Sequence, residues 1–170
     1  MEANTIIKLN GKNYLLTQQA IVNGSNYYMA CEVDDGNIIK QKYGIFRERI
    51  NEKGETLFSL VQDEKEKIAV YKLFIEDVIR EMETDPNFLS VGSIVNMKRR
   101  QFALIDYIPY EAELFAIFTT LDKPLDIVVA RRDVDKDGKV HYIDVTTSDD
   151  GVAVIQIHAQ ITLEDENSEN

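Results

Sequence analysis

The stretch NYLLTQQAIVNGSNYYMACEVDDGNIIKQKYGIFRERI, residues 13–50, decides the fold class. Its apolar runs are punctuated by Asn23-Gly24 and Asp35-Gly36. Such dipeptides accept the two consecutive positive φ angles of a type I′ hairpin turn. The spacing predicts strands over 13–22, 26–33 and 38–50, with Gly44 marking a bulge in the last. Upstream, TIIKL (5–9) runs into a third hairpin signal, Asn10-Gly11. Downstream, Lys53-Gly54 turns the chain into TLFSLVQ (56–62). Five strands joined by short turns make an antiparallel meander.

The period then changes. Ile68, Tyr71, Ile75, Val78 and Met82 recur at spacings of three and four, which puts them on one helical face. Asp63 with Glu66 makes a capping-box pattern, and Asp85-Pro86 stops the helix. This stripe is expected to cover one face of the preceding sheet.

The second half begins with FLSVGSIVNM (88–97) and RRQFALIDYI (99–108), both read as strands. Residues 109–122 carry two patterns. Leu114, Ile117, Phe118 and Leu121 form a helical stripe with Pro109 as a good first residue, whereas Leu114, Ala116 and Phe118 alternate as in a strand. The helix is the favoured reading. Strands are predicted over 125–132, 139–147 and 151–163. The class is therefore α+β. A β-meander plus amphipathic helix occupies 1–85, a mainly-β module with one helix occupies 86–163, and an acidic tail follows over 164–170. Fusion of the halves into a single domain is the alternative, and no internal repeat is apparent.

The chain has a formal net charge of -11 and a sequence pI near 4.6. That balance repels a phosphate backbone and an anionic bilayer, so neither nucleic acid nor membrane is an expected partner. Its single cysteine, Cys31, excludes an intrachain disulfide and a cysteine-built zinc site. Cys31 lies in an apolar strand and reads as core. The N-terminus MEANTIIKLN lacks a basic region followed by an apolar one, so a cytoplasmic location is expected.

Part of the first half resembles a known family. Asn23, Gly24 and Tyr27 or Tyr28 match its hairpin, Ile45-Phe46-Arg47 its strand core, and Gly54 its turn. Asp63, Glu64, Tyr71 and Phe74 match its capped acidic helix. In these features residues 1–85 are similar to the YrzB-like bacterial domain of unknown function. The resemblance implies a bacterial setting and no known chemistry.

One motif has the spacing of an ion site. In DVDKDGKVHYID, residues 133–144, Asp133, Asp135 and Asp137 occupy calcium-loop positions 1, 3 and 5. Gly138 and Asp144 occupy positions 6 and 12. Calcium is the one cofactor this suggests. The flanks read as strands rather than helices, so an acidic hairpin turn at Asp137-Gly138 is the competing reading.

Lys98, Arg99, Arg100, Arg131 and Arg132 could form a patch for an anion or an acidic partner if their strands are neighbours. His141 and His158 could share a metal if their faces match. Tyr27 and Tyr28 point to opposite faces of a strand, which would set one at a contact surface. No motif for nucleophilic, zinc-dependent or nucleotide chemistry is present. The expectation is a non-enzymatic interaction or structural protein of bacterial or phage origin. Its partner would be another protein or a second copy of itself, with calcium-dependent binding as the alternative.

Overall fold

A computed structural model describes residues 4–168. The chain divides into two compact units, Met1–Asp77 and Val78–Asn170. In unit 1, β1 (Ile6–Leu9), β2 (Lys12–Val22), β3 (Ser25–Asp34), β4 (Asn37–Ile50) and β5 (Thr56–Leu60) pair antiparallel in sequence order. The α1 helix (Glu64–Met82) follows, and the unit boundary falls inside it. One face of the sheet buries Ile7, Leu16, Tyr28, Ala30 and Phe46. From the other face the Tyr27 hydroxyl reaches Glu66 Oε1 of α1 at 2.9 Å. Val70, Tyr71 and Phe74 of the helix are buried. Asp63 caps α1, its carboxylate accepting the Glu66 amide at 3.3 Å.

Unit 2 contains β6 (Ile94–Met97), β7 (Arg100–Tyr110), β8 (Glu113–Thr120), β9 (Ile127–Val134), β10 (Val140–Asp144) and α2 (Asp149–Ser168). Its sheet is again an antiparallel meander in sequence order. The α+β class holds, but the helix of this half sits elsewhere than expected. Residues 113–120 form strand β8, paired with β7 and β9. The hairpin between β7 and β8 turns at Glu111 and Ala112, which take φ of 49° and 67° without a glycine. The expected strand over 151–163 is instead α2. Val154, Ile157 and Ile161, spaced by three and four, are its buried apolar side chains. Ser148 caps it, the hydroxyl accepting the Gly151 amide at 3.0 Å. Strand over 88–97 is confined to Ile94–Met97, and the acidic residues from 164 continue α2 as far as Ser168.

The two units repeat one plan, although the sequence shows no internal repeat. Ile6 and Ile94 open the meanders, and the turns Asn10-Gly11 and Lys98-Arg99 both have positive φ. The ladder of β2 with β3 slips between Leu16 and Gln18, and that of β7 with β8 between Leu104 and Asp106. The Leu16 amide bonds the Thr5 carbonyl and the Leu104 amide bonds the Ser93 carbonyl, each at 2.9 Å. Val61 reaches Ile45 and Val145 reaches Val129, each at 2.8 Å. Ile6 with Ile94 and Leu16 with Leu104 are among the few equivalent pairs that keep the same residue. The plan is carried by apolar class and turn geometry rather than by identity.

Candidate functional site

The turn from β9 to β10 does not gather its aspartates. Asp133, near the end of β9, holds Arg131 through two hydrogen bonds of 2.9 and 3.2 Å. Asp135 Oδ1 accepts the amides of Asp137 and Lys139, each at 2.9 Å. Its Oδ2 lies 2.9 Å from His141 Nε2. The His141 contact, then those amides, hold the Asp135 carboxyl below the usual carboxylate range. Asp144 lies at the far end of β10, four residues beyond Val140. At about 3.3 Å per residue that is roughly 13 Å, out of reach of a common ion. Its carboxylate accepts Lys98 Nζ and the Thr146 hydroxyl, each at 2.6 Å. Lys98 first, then Thr146, bring its pKa down to about 2. Strand pairing thus pulls apart the set Asp133, Asp135, Asp137 and Asp144 that a wrapped calcium loop would bring together. Among the described residues, no three His, Cys, Asp or Glu side chains form a group able to hold a metal.

Unit 1 shows what Asp135 does. Asn51, at the equivalent turn, accepts the amides of Lys53 and Glu55 at 2.9 Å each through Oδ1. The Asn51 amide bonds the Glu55 carbonyl and the Gly54 amide bonds the Asn51 carbonyl, both at 3.0 Å. Asp135 with Lys139 and Gly138 with Asp135 reproduce those bonds at 2.9 and 3.0 Å. A neutral amide closes the same turn, so the spacing that resembles an ion loop is that of an Asx turn.

The basic residues do not form one patch either. Lys98, Arg99 and Arg100 lie at the β6–β7 turn. Arg131 and Arg132 pair with Phe115 and Leu114, toward the opposite end of β8. Arg100 knits the loop before β9, donating to the carbonyls of Asp122 and Pro124 at 3.3 and 2.8 Å. Arg131 sits between Asp133 and Glu113. Arg132, one-tenth exposed, reaches Asp85 at 3.4 Å, and its Nε has no hydrogen-bond partner. Arg99 is exposed in the turn itself.

The histidines are also apart. His141 pairs with Asp133 across the β10–β9 ladder. His158 is in α2, not in a strand, and its Nε2 lies 3.7 Å from Asp106 Oδ2. Burial between helix and sheet raises the Asp106 pKa. Cys31 is fully buried, in keeping with a core role. Tyr27 and Tyr28 are both buried, so neither supplies the outward aromatic. Burial, then Glu48, pushes the Tyr28 hydroxyl up to about 12.

The feature that sequence reasoning missed is the concave face of the second sheet. Its floor is Phe102, Leu104, Tyr107, Ala116, Phe118, Val128 and Ala130, and the packing includes Ile79, Met82, Phe88 and Leu89. The Phe88 ring stacks on Tyr107 with centroids 6.0 Å apart. A cleft of about 670 Å³ remains, lined by Leu89, Val95, Met97, Phe118, Val140 and Tyr142. Val95 and Met97 come from one edge strand, and Val140 and Tyr142 from the other. The sheet therefore curls until its edges share a wall, and the Lys98–Asp144 bridge ties them at one end. Below the cleft, the Tyr107 hydroxyl donates to the Leu89 carbonyl at 2.6 Å. Its only proton is thereby used, so Tyr142, 3.1 Å away, is the donor to Tyr107. The outer lone pairs of Tyr142 remain acceptors. Burial, then the Tyr142 contact, raises the Tyr107 pKa strongly. Alternating aromatics in 102–118 were the available signal, but only strand register brings them to one face.

No family model, curated protein or solved structure matches the chain. No helix among the described residues is long and apolar enough to cross a membrane.

Proposed function

We propose that the chain is a non-enzymatic protein-interaction protein of bacterial or phage origin. One observation supports this reading. On the helix-facing side of the second sheet, Ile94, Ala103, Thr119 and Ile127 form one row across β6 to β9. Ile94 is 57% exposed and Ile127 44%, and the adjoining Leu121 and Leu125 are 51% and 65% exposed. Grouped large apolar side chains on an outer surface mark an interaction site more often than scattered ones do. The row ends on β6, an edge strand whose outer side carries no neighbour in the sheet.

Charge selects the partner class. Arg99 and Lys123 sit in the two turns at this end of the sheet, and Asp122 and Asp126 of the same loop are turned to Arg100. A twofold contact of the patch with itself would bring these cations toward one another. The reading is a different protein that offers an apolar strip edged by carboxylates. The test is capture of binding proteins from host lysate, with Ile94→Lys and Leu125→Lys as the comparison. Specific partners retained by the parent and lost by the variant are expected. A parent chain that is monomeric by sedimentation and captures nothing refutes the reading.

A further inference from the structure

We propose that the cleft of the second sheet binds a small amphipathic carboxylate, with its hydrocarbon between the two sheet edges and its anionic head at Lys139. The repeat shows where the space lies. In unit 1 the position equivalent to Ala116 is Tyr28. That ring is fully buried and packs edge-on against Phe58, with centroids 6.1 Å apart. In unit 2 the ring moves one layer along the same face, Ala116 standing for Tyr28 and Phe118 for Ala30; Ala116 is fully buried, and the cleft lies against Phe118. The cleft's volume lies within the roughly 300–1,000 Å³ of ordinary small-ligand sites.

The walls fix the ligand's chemistry. Leu89, Val95, Met97, Phe118 and Val140 are apolar and ask for hydrocarbon. The mouth adds Asn87, Lys139 and His141. Lys139 is exposed, and among the described residues its ammonium has no carboxylate partner. His141 is already engaged by Asp135. The unmatched group is therefore a cation at the open end of an apolar trough. An ammonium donates to an anion with a stronger hydrogen bond than to a neutral group. A carboxylate with an unbranched chain satisfies both ends. A protonated amine would face Lys139 with like charge.

The probes are octanoate, decanoate and decanol, titrated below their micelle or solubility limits into the full chain. Heats of binding and backbone amide spectra are followed. Decanoate should shift the amides of Val95, Phe118 and Val140. Each added methylene should tighten binding about fourfold, the effect of burying one CH₂. Lys139→Ala should weaken decanoate about tenfold and leave decanol unchanged. Met97→Trp places a ring in the trough and should abolish both. If that variant does not fold, the wild-type shift map decides alone. No binding at millimolar probe, shifts centred elsewhere, or equal affinity of decanoate for wild type and Lys139→Ala each overturn the proposal. So does an extended apolar peptide that shifts the same amides when the fatty acids do not.

Discussion

Gly151 provides a sharp test of how the second unit is built. It lies in the first turn of α2, where glycine is ordinarily a poor choice. Gly→Ala inside a helix usually gains about 1 kcal/mol, because alanine loses less backbone entropy. Here the sign should reverse. A Cβ at residue 151 would run into the backbone carbonyl oxygens of Val145 and Thr146. Overpacking by a methyl group costs about 1–3 kcal/mol where side chains can give way. Backbone oxygens cannot rotate aside, so the upper end of that range applies. Offsetting about 3 kcal/mol with the propensity gain of about 1 leaves a net loss near 2 kcal/mol. For a unit of this size that corresponds to about 8–16 °C in melting temperature. The assay is calorimetry of the full chain carrying Gly151→Ala, followed through the transition of the unit that contains α2. Ala153→Gly is the control. It should lose only the ordinary propensity of about 1 kcal/mol, or about 4–8 °C. A Gly151→Ala protein that melts at or above the parent's temperature would refute the close approach of α2 to the β10 end.

The acidic turn and the edge bridge give two further outcomes. Asp135→Asn should leave the melting temperature in place, since Asn51 closes the same turn in unit 1, whereas Asp135→Ala should lower it; calcium at millimolar concentration should shift neither parent nor variant in a thermal melt. Asp144 has a folded pKa of about 2, below the ordinary aspartate value of 3.8, so its contribution to stability is present above pH 3.8 and is lost as pH falls toward 2. Both partners of the Lys98–Asp144 pair are largely exposed, so Asp144→Asn should cost under about 1 kcal/mol at neutral pH in urea melts, and the variant should lose less than the parent on acidification to about pH 2.

The first unit was legible because its turns announce themselves. Asn10-Gly11, Asn23-Gly24 and Asp35-Gly36 place positive φ where glycine and asparagine accept it. In the second unit the equivalent corners are Lys98-Arg99 and Glu111-Ala112. They adopt positive φ although nothing in their chemistry signals it. Without a visible corner at 111–112, the strand around Phe118 could be read as a helix starting at Pro109. The α2 helix failed for another reason. Ile155, Ile157, Ala159, Ile161 and Leu163 alternate as in a strand, while Val154, Ile157 and Ile161 follow a helical spacing. Both periods are present, and packing on the sheet selects the second. Of the candidate site almost nothing was legible. Phe118, Val95 and Tyr142 are distant in sequence and meet only through the register of five strands. The aspartates at 133–144 are close in sequence and are separated by that same register.

The repeat turns the molecule into its own control. Where the units agree, the requirement belongs to the fold: Leu16 and Leu104 beside the bulges, Asn51 and Asp135 at the Asx turn, Asp63 and Ser148 at the helix caps. The turn-closing role of Asp135 belongs to the fold, because an amide fills it in the other unit, whereas its contact with His141 has no counterpart there, Leu57 standing in the histidine's place. Where the units differ, the fold is indifferent and some other demand can act. Glu48 in unit 1 accepts from Asn26 and Tyr28 at 2.9 and 3.1 Å. Its counterpart Arg132 has the opposite charge and reaches Asp85. Phe58 becomes Tyr142 and Tyr28 becomes Ala116. These three exchanges lie on one face, where Ala30 also becomes Phe118; the ring lost at Ala116 is regained one layer along, and the second unit adds the polar groups of Tyr142 and Arg132. A change driven by packing alone would have added carbon there rather than a hydroxyl and a guanidinium, since burying polar groups costs stability. The concave face of the second unit is therefore where function specific to this chain is to be sought.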